Sequence, residues 1–243
     1  MREVYTKIEN DTTAIQVEIQ YHEEYEKLAK KNNTLLSVFV KYNPLTHHEE
    51  IDTFLELKES LILGLQHHAK ALYGGMRVVE GWSELYFYAP SAKELNSVVQ
   101  KYLRDTPYPY ESNVVKDAKW DFYYKQLLPT PLEEQHIQSV KTIVLLAEEG
   151  DPLTQEREVE HYIIFDTDTQ KQRFIPKAEK LGFRYKDDIS SDDFAYGVAL
   201  VKKHDVTNDT IREEVKELFT LAQQEQAYYE GWSTTLVLED GEE

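Results

Sequence analysis

Two runs of alternating side chains bracket the last third of the chain and set its class of fold. In Val159-Glu-His-Tyr-Ile-Ile-Phe165, residues 159, 161, 163 and 165 share one side of an extended backbone, and 160, 162, 164 and 166 share the other. In Tyr228-Tyr-Glu-Gly-Trp-Ser-Thr-Thr-Leu-Val-Leu238, Trp232, Thr234, Leu236 and Leu238 share a face. Between these strands the pattern predicts a helix ending near Leu181-Gly182, strands around Phe183–Ile189 and Phe194–Lys203, and a helix from about Asn208 to Gln226. Gly182 suits the left-handed position after a helix. Thr210-Ile-Arg-Glu213 fits a capping box, with Thr207, Asn208 and Asp209 as competing caps. Ile211, Val215, Leu218 and Ala222 form the apolar stripe of that helix. Pro176 lies inside the first helical pattern, so that helix should start late or kink. The order β-α-β-β-α-β is that of a ferredoxin-like domain.

The strand Val159–Phe165, the Phe174…Leu181-Gly182-Phe183 spacing and the terminal Tyr229-Glu-Gly-Trp-Ser233 resemble the regulator B of ribonuclease E activity, over roughly the last third of the chain. The resemblance implies a small acidic ferredoxin-like domain that inhibits the endonuclease by binding it. That family typically has a glycine before the tyrosine, and Asp-Gly-Trp-Glu; here the run is Gln226-Ala-Tyr-Tyr-Glu-Gly-Trp-Ser233. Tyr229 and Glu230 stand in this run and are candidate partner contacts. Trp232 is expected to be largely buried, with Gly231 allowing a sharp turn into the strand.

The first half repeats the element order. Strands are expected at Val4–Ile8 and Ala14–Gln20, turning at Glu9-Asn-Asp-Thr, and at Leu35–Tyr42. Val38 and Val40, or else Phe39 with its alternates, should face the core. Tyr21–Asn33 is charged and reads at most as a short helix. Thr46-His-His-Glu49 fits a capping box before the stripe Ile51, Phe54, Leu55, Lys58, Leu61, Ile62, Leu65, Ala69 and Leu72, a helix stopping at Gly74-Gly75. A hairpin follows, Met76–Val79 and Trp82–Ala89, turning at Glu80-Gly81. Ser91-Ala-Lys-Glu94 should cap a helix through about Leu103, before a strand around Glu111–Lys116. Asp117-Ala-Lys-Trp120-Asp-Phe-Tyr-Tyr-Lys-Gln-Leu-Leu-Pro129 looks like the closing segment of an uncharacterised domain sometimes found ahead of a regulator B-like domain. That resemblance spreads over about the first 130 residues and implies a fold without an activity. Pro129-Thr-Pro131 marks the boundary. Pro131 suits the first turn of a helix to about Glu148, carrying Ile137, Val140, Val144 and Ala147 at helical spacing. The expected architecture is α+β: two ferredoxin-like domains, 1–130 and 131–243, each an antiparallel sheet with helices packed on one face.

Charge is uneven. Residues 131–243 hold 26 Asp and Glu against 12 Lys and Arg, a net of −14 out of −18 for the chain. Such a field repels nucleic-acid backbones and attracts basic segments. Asp187, Asp188, Asp192 and Asp193 gather on the hairpin between the second and third strands and are candidate partner contacts. Asp166-Thr-Asp168 opens like a calcium loop but has Lys171 and Lys177 where glycine and an acid are required. The pairs His47-His48 and His67-His68 cannot chelate in one plane and lie about 30 Å apart along a helix. His161, mid-strand, reads as a core histidine. There are no cysteines, so no thiolate nucleophile, disulfide or Cys-based metal site exists. No phosphate loop or nucleophile elbow occurs.

No apolar run approaches a bilayer span, and the first residues lack a signal core, so a cytoplasmic protein is expected. The reading is therefore a non-enzymatic acidic module without a cofactor, binding a basic segment of a protein partner. The resemblance implies that this partner is an RNA-processing enzyme. The alternative is a hydrolase or metal-dependent enzyme using carboxylates at the domain interface.

Overall fold

The computed structural model describes residues 1–9, 13–47 and 49–238. Residues 10–12 of the expected turn Glu9-Asn-Asp-Thr, His48 and Glu239 lie outside the described residues. The chain divides into two compact units, Met1–Pro129 and Thr130–Glu243.

In the first unit the strands are β1 (Arg2–Glu9), β2 (Thr13–Gln20), β3 (Thr34–Val40), β4 (Leu72–Val79), β5 (Trp82–Ala89) and β6 (Tyr110–Lys116). The helices are α1 (Tyr25–Lys31), α2 (Ile51–Ala69) and α3 (Leu95–Leu103). The sheet is antiparallel, in the order β1-β2-β4-β5-β3-β6. Its last four strands have the ferredoxin-like order with the first and third strands central, and the β1–β2 hairpin widens it at one edge. Val38 and Val40 join Phe54, Leu61 and Leu65 of α2 and Val98, Val99 and Leu103 of α3 in one core, whereas Phe39 is half-buried.

The opposite face of this sheet is covered as well. Tyr88 stacks on Trp120 at 4.1 Å, and Tyr86 lies 4.2 Å from Phe122. Asp117 anchors the closing segment, accepting from the backbone of Asp121 and Phe122 and from the hydroxyl of Tyr88 at 2.7–3.0 Å. Helices thus pack on one face as expected, and residues 117–128 with α1 add a layer on the other.

Several local expectations change. α2 ends at Ala69 with Lys70 in the left-handed conformation, not at Gly74-Gly75. Those glycines lie inside β4, where the register with β5 shifts. Gly75 has φ 154°, and a Cβ there would sit 2.4 Å from the carbonyl oxygen of Glu18. The glycine pattern thus marks a bulge and a close strand approach, two uses that a helix stop mimics in sequence. Glu80 and Gly81 both have positive φ, as a two-residue hairpin turn requires. Among the described residues neither α2 nor α3 has a side-chain cap.

The second unit contains α4 (Pro131–Glu148), β7 (Arg157–Phe165), α5 (Asp168–Lys180), β8 (Arg184–Ile189), β9 (Tyr196–His204), α6 (Asn208–Gln224) and β10 (Tyr228–Thr234). The sheet order β10-β7-β9-β8 is antiparallel and ferredoxin-like. Phe174 and Ala178 of α5 and Ile211, Val215 and Leu218 of α6 cover Val159, Ile163, Val198 and Leu200. Capping boxes form at Thr130–Glu133 and Thr167–Gln170, not at Thr210. α5 runs through Pro176, which faces solvent, so its missing N–H leaves no buried carbonyl unpaired. On α4 the buried residues are Ile137, Ser139 and Ile143, while Val140 and Val144 are exposed. Among the described residues no helix is long and apolar enough to cross a membrane.

Candidate interaction surface

The helix-free face of the second sheet is roofed by charge. Arg184 and Lys186 on β8 reach across β9 to Glu158 and Glu160 on β7, at 2.8 and 2.5 Å. Beneath these pairs Ala199 and Val201 of β9 are buried although no helix of the unit lies over them. The long aliphatic stems of Arg and Lys exclude water from that strip.

The four aspartates do lie on the β8–β9 hairpin, but they are not equivalent. Asp188 is committed internally: it accepts from the Lys171 ammonium at 2.9 Å and from the Tyr185 hydroxyl at 3.1 Å. The Lys171 contact holds its carboxyl below the usual range. Asp187, Asp192 and Asp193 are exposed, with no ion pair among the described residues. The turn carrying them is fastened. The backbone N–H of Ser191 donates to the Phe194 carbonyl at 3.0 Å, and the Phe194 ring and Ile189 close over Gly197.

Tyr229 and Glu230 lie elsewhere. β10 and β8 are opposite edges of the sheet, three strand spacings or about 14 Å apart. Tyr229 is buried, and its hydroxyl meets His161 Nδ1 at 2.9 Å. Its ring belongs to the core and cannot face a partner, because β10 has a bulge between Tyr229 and Gly231 that keeps Tyr229 and Trp232 both inward. Glu230, within the bulge, is exposed. Trp232 is only half-buried, its indole N–H donating to the Ser139 hydroxyl at 2.9 Å.

Sequence reasoning missed the tyrosines around this end of the sheet. Tyr228, Ile164, Gly197 and Ile189 fall in one cross-strand row, with Phe165 and Tyr196 in the next. Asp166 follows directly and is exposed. Tyr196 and Tyr228 are 39% and 54% exposed. The available signal was that Tyr228 and Tyr196 immediately flank predicted core positions.

For catalysis or metal binding the geometry offers less. Among the described residues no group of three or more His, Asp or Glu side chains could hold a metal ion. In the first unit a cavity of about 840 Å³ brings His47 beside Glu49 and Glu50. Its two phenols are already spent, Tyr42 donating to the His47 carbonyl at 2.5 Å and Tyr108 to Glu50 at 3.3 Å. Burial, with Glu50 nearby, pushes both phenols up, so neither is an activated base.

Residues 3–128, more than half of the chain, match the family described as "Family of unknown function (DUF695)". The chain belongs to that family. Behind that domain, residues 136–234, most of the second unit, match the family described as "Regulator of ribonuclease activity B". No curated protein matches the chain. Among solved structures, one described as "Crystal Structure of an Unknown Protein from Galdieria sulphuraria" aligns over 82% of this chain and 96% of its own, at 8% identity with a TM-score of 0.24. A likeness that slight carries no argument.

Proposed function

We propose that the second unit, taken as residues 131–243, is a non-catalytic module that binds a basic segment of an RNA-processing endonuclease in the cytoplasm and regulates it. The matched family supports a regulator of ribonuclease activity. The observation that carries the finer reading is the end of the second sheet, where Asp166, Asp187, Asp192, Asp193 and Glu230 have no ion pair among the described residues and lie near Tyr196 and Tyr228. Nearly every other charge nearby is neutralised: Arg157, Lys171, Arg173, Lys177, Arg184, Lys186, Lys202 and Lys203 all have acidic partners. The unspent carboxylates therefore give this end its field. Exposed tyrosine rings beside them suit Arg and Lys side chains, which stack on aromatic faces. An extended segment of four or five residues, at about 3.3 Å each, spans the row from β10 to β8.

The test is binding of a ribonuclease E-type endonuclease to the intact chain and to Asp187→Asn, Asp192→Asn and Asp193→Asn combined. Slower association by the triple variant, with its fold intact, supports the reading; equal association refutes it.

A further inference from the structure

His161 and His204 are buried side by side in the second unit, with ring centroids 5.9 Å apart, and the Nε2 atom of each has no hydrogen-bond partner among the described residues. Buried polar atoms without a partner are rare enough to need a physical account. In the strand register His161 opposes Leu200 and His204 opposes Arg157, so Val159 and Lys202 lie between them. Four residues of strand rise about 13 Å. Rings that approach to 5.9 Å across that span lean toward each other and present their distal edges, where Nε2 sits.

The Nδ1 partners set the tautomers. The phenol of Tyr229 is kept protonated by burial. It has no other acceptor among the described residues, so its O–H donates to His161 Nδ1 at 2.9 Å. That places the His161 hydrogen on Nε2. His204 Nδ1 faces the Asp205 carbonyl oxygen at 2.5 Å. A carbonyl only accepts, so His204 carries its hydrogen on Nδ1 and a lone pair on Nε2. The facing atoms are therefore one donor and one acceptor. Direct contact would bring the centroids to about 5 Å; at 5.9 Å the two rings are complementary but not hydrogen-bonded to each other.

We propose that this buried cluster is an acid-triggered latch on β10: a proton forced onto His161 Nδ1 turns the acceptor that holds the Tyr229 hydroxyl into a second donor and releases Tyr229 together with its strand. The surroundings reinforce the effect. From β9, the Lys202 ammonium lies close by, held by Glu214 of α6 at 2.6 Å. From β7, the Arg157 guanidinium opposes His204 and is bound to Asp151. The Asp205 carboxylate, which would offset a positive charge, is occupied by Thr207 at 2.8 and 3.1 Å. Phe183 packs edge-on against His161 at 5.3 Å and offers no acceptor in its ring plane.

Burial first, then His204 and Lys202, hold the His161 imidazole down to about 3. An unfolded histidine titrates near about 6.5, so below that pH the open chain binds protons that the closed one refuses. The latch is whole above about 6.5 and is lost progressively as pH falls toward 3. Because β10 carries Tyr228 and Glu230, opening would also dismantle the surface proposed above; that consequence rests on the proposed function, while the latch does not.

The test uses the intact chain without a partner. Long-range 15N NMR at pH 7.5 should show His161 protonated on Nε2 and His204 on Nδ1. Amide exchange at Tyr229 and Trp232, corrected for intrinsic rate, should quicken by up to about tenfold per pH unit below about 6.5. First-unit amides serve as the control. His161→Phe, which removes the titrating imidazole, should flatten this dependence. Should that variant misfold, the wild-type tautomers and exchange still decide. Identical tautomers on the two rings, ordinary titration of His161 near 6.5, or pH-independent exchange in β10 would overturn the latch. Endonuclease binding at pH 7.5, measured separately, distinguishes failure of the latch from failure of the binding surface.

Discussion

Asp151 and Arg157 form a bidentate ion pair sealed from solvent, the guanidinium binding both carboxylate oxygens. Asp151 also accepts from the backbone of Leu153 at 2.8 Å and of Val237 at 2.9 Å, while Arg157 donates to the Thr235 carbonyl at 3.3 Å. One pair thus ties the loop after α4, the start of β7 and the segment after β10. Arg157 and the two backbone N–H groups hold the Asp151 carboxyl down to about 2.

Asp151→Asn leaves a buried guanidinium without its counter-charge. Chemical denaturation at pH 7 should show a loss of about 3–5 kcal/mol. The folded carboxyl is depressed relative to the unfolded one, so the pair's contribution is present above about pH 4 and disappears as pH falls through about 2. The difference between wild type and variant should therefore narrow in acid.

Trp120 should behave as the keystone of the first unit. It is fully buried, stacked on Tyr88, and its indole donates to the Asn32 carbonyl at 2.6 Å. Trp120→Ala should cost about 3–5 kcal/mol, and Trp120→Phe less, because only the hydrogen bond and part of the ring are lost. A melting temperature unmoved by the alanine would show that the closing segment is not part of the core.

Gly75→Ala places a methyl group 2.4 Å from a backbone oxygen, at a φ that L-residues avoid. The expected loss is about 1–3 kcal/mol, while Gly81→Ala should cost less because only the Lys41 ammonium approaches its Cβ position, at 3.7 Å. Paired thermal melts decide the ranking.

These cases show what the sequence carried. Alternation at Val159–Phe165 and the stripe Ile211, Val215, Leu218 and Ala222 announced their elements because one face of each is buried and the other wet. The Pro131 helix start was legible for the same local reason. Gly74-Gly75 misled because glycine serves both a helix stop and a strand bulge, and only the partner strand β2 distinguishes them. On α4, Val140 and Val144 have helical spacing yet point outward, since Ser139 and Ile143 meet the core instead. At the candidate site, clustered aspartates were visible, but the commitment of Asp188 to Lys171 depends on α5 crossing β8, which no local spacing encodes. The same holds for Tyr229, whose inward direction depends on a bulge.

Asp188→Asn should therefore differ from its neighbours. It removes a carboxylate from Lys171, leaving Asp168 at 3.2 Å, and should lower the melting temperature slightly. Asp192→Asn and Asp193→Asn should leave the melting temperature unchanged, because neither carboxylate has an ionic partner to lose among the described residues.

The most direct test of the acidic surface is the association rate of the intact chain with a ribonuclease E-type endonuclease, measured across a salt series for wild type and the triple Asp187, Asp192 and Asp193 to Asn variant. Electrostatic steering predicts a variant at least about tenfold slower at low ionic strength, with a flatter salt dependence, and rates that converge at high salt. Superimposable salt curves from two equally folded proteins would contradict the account.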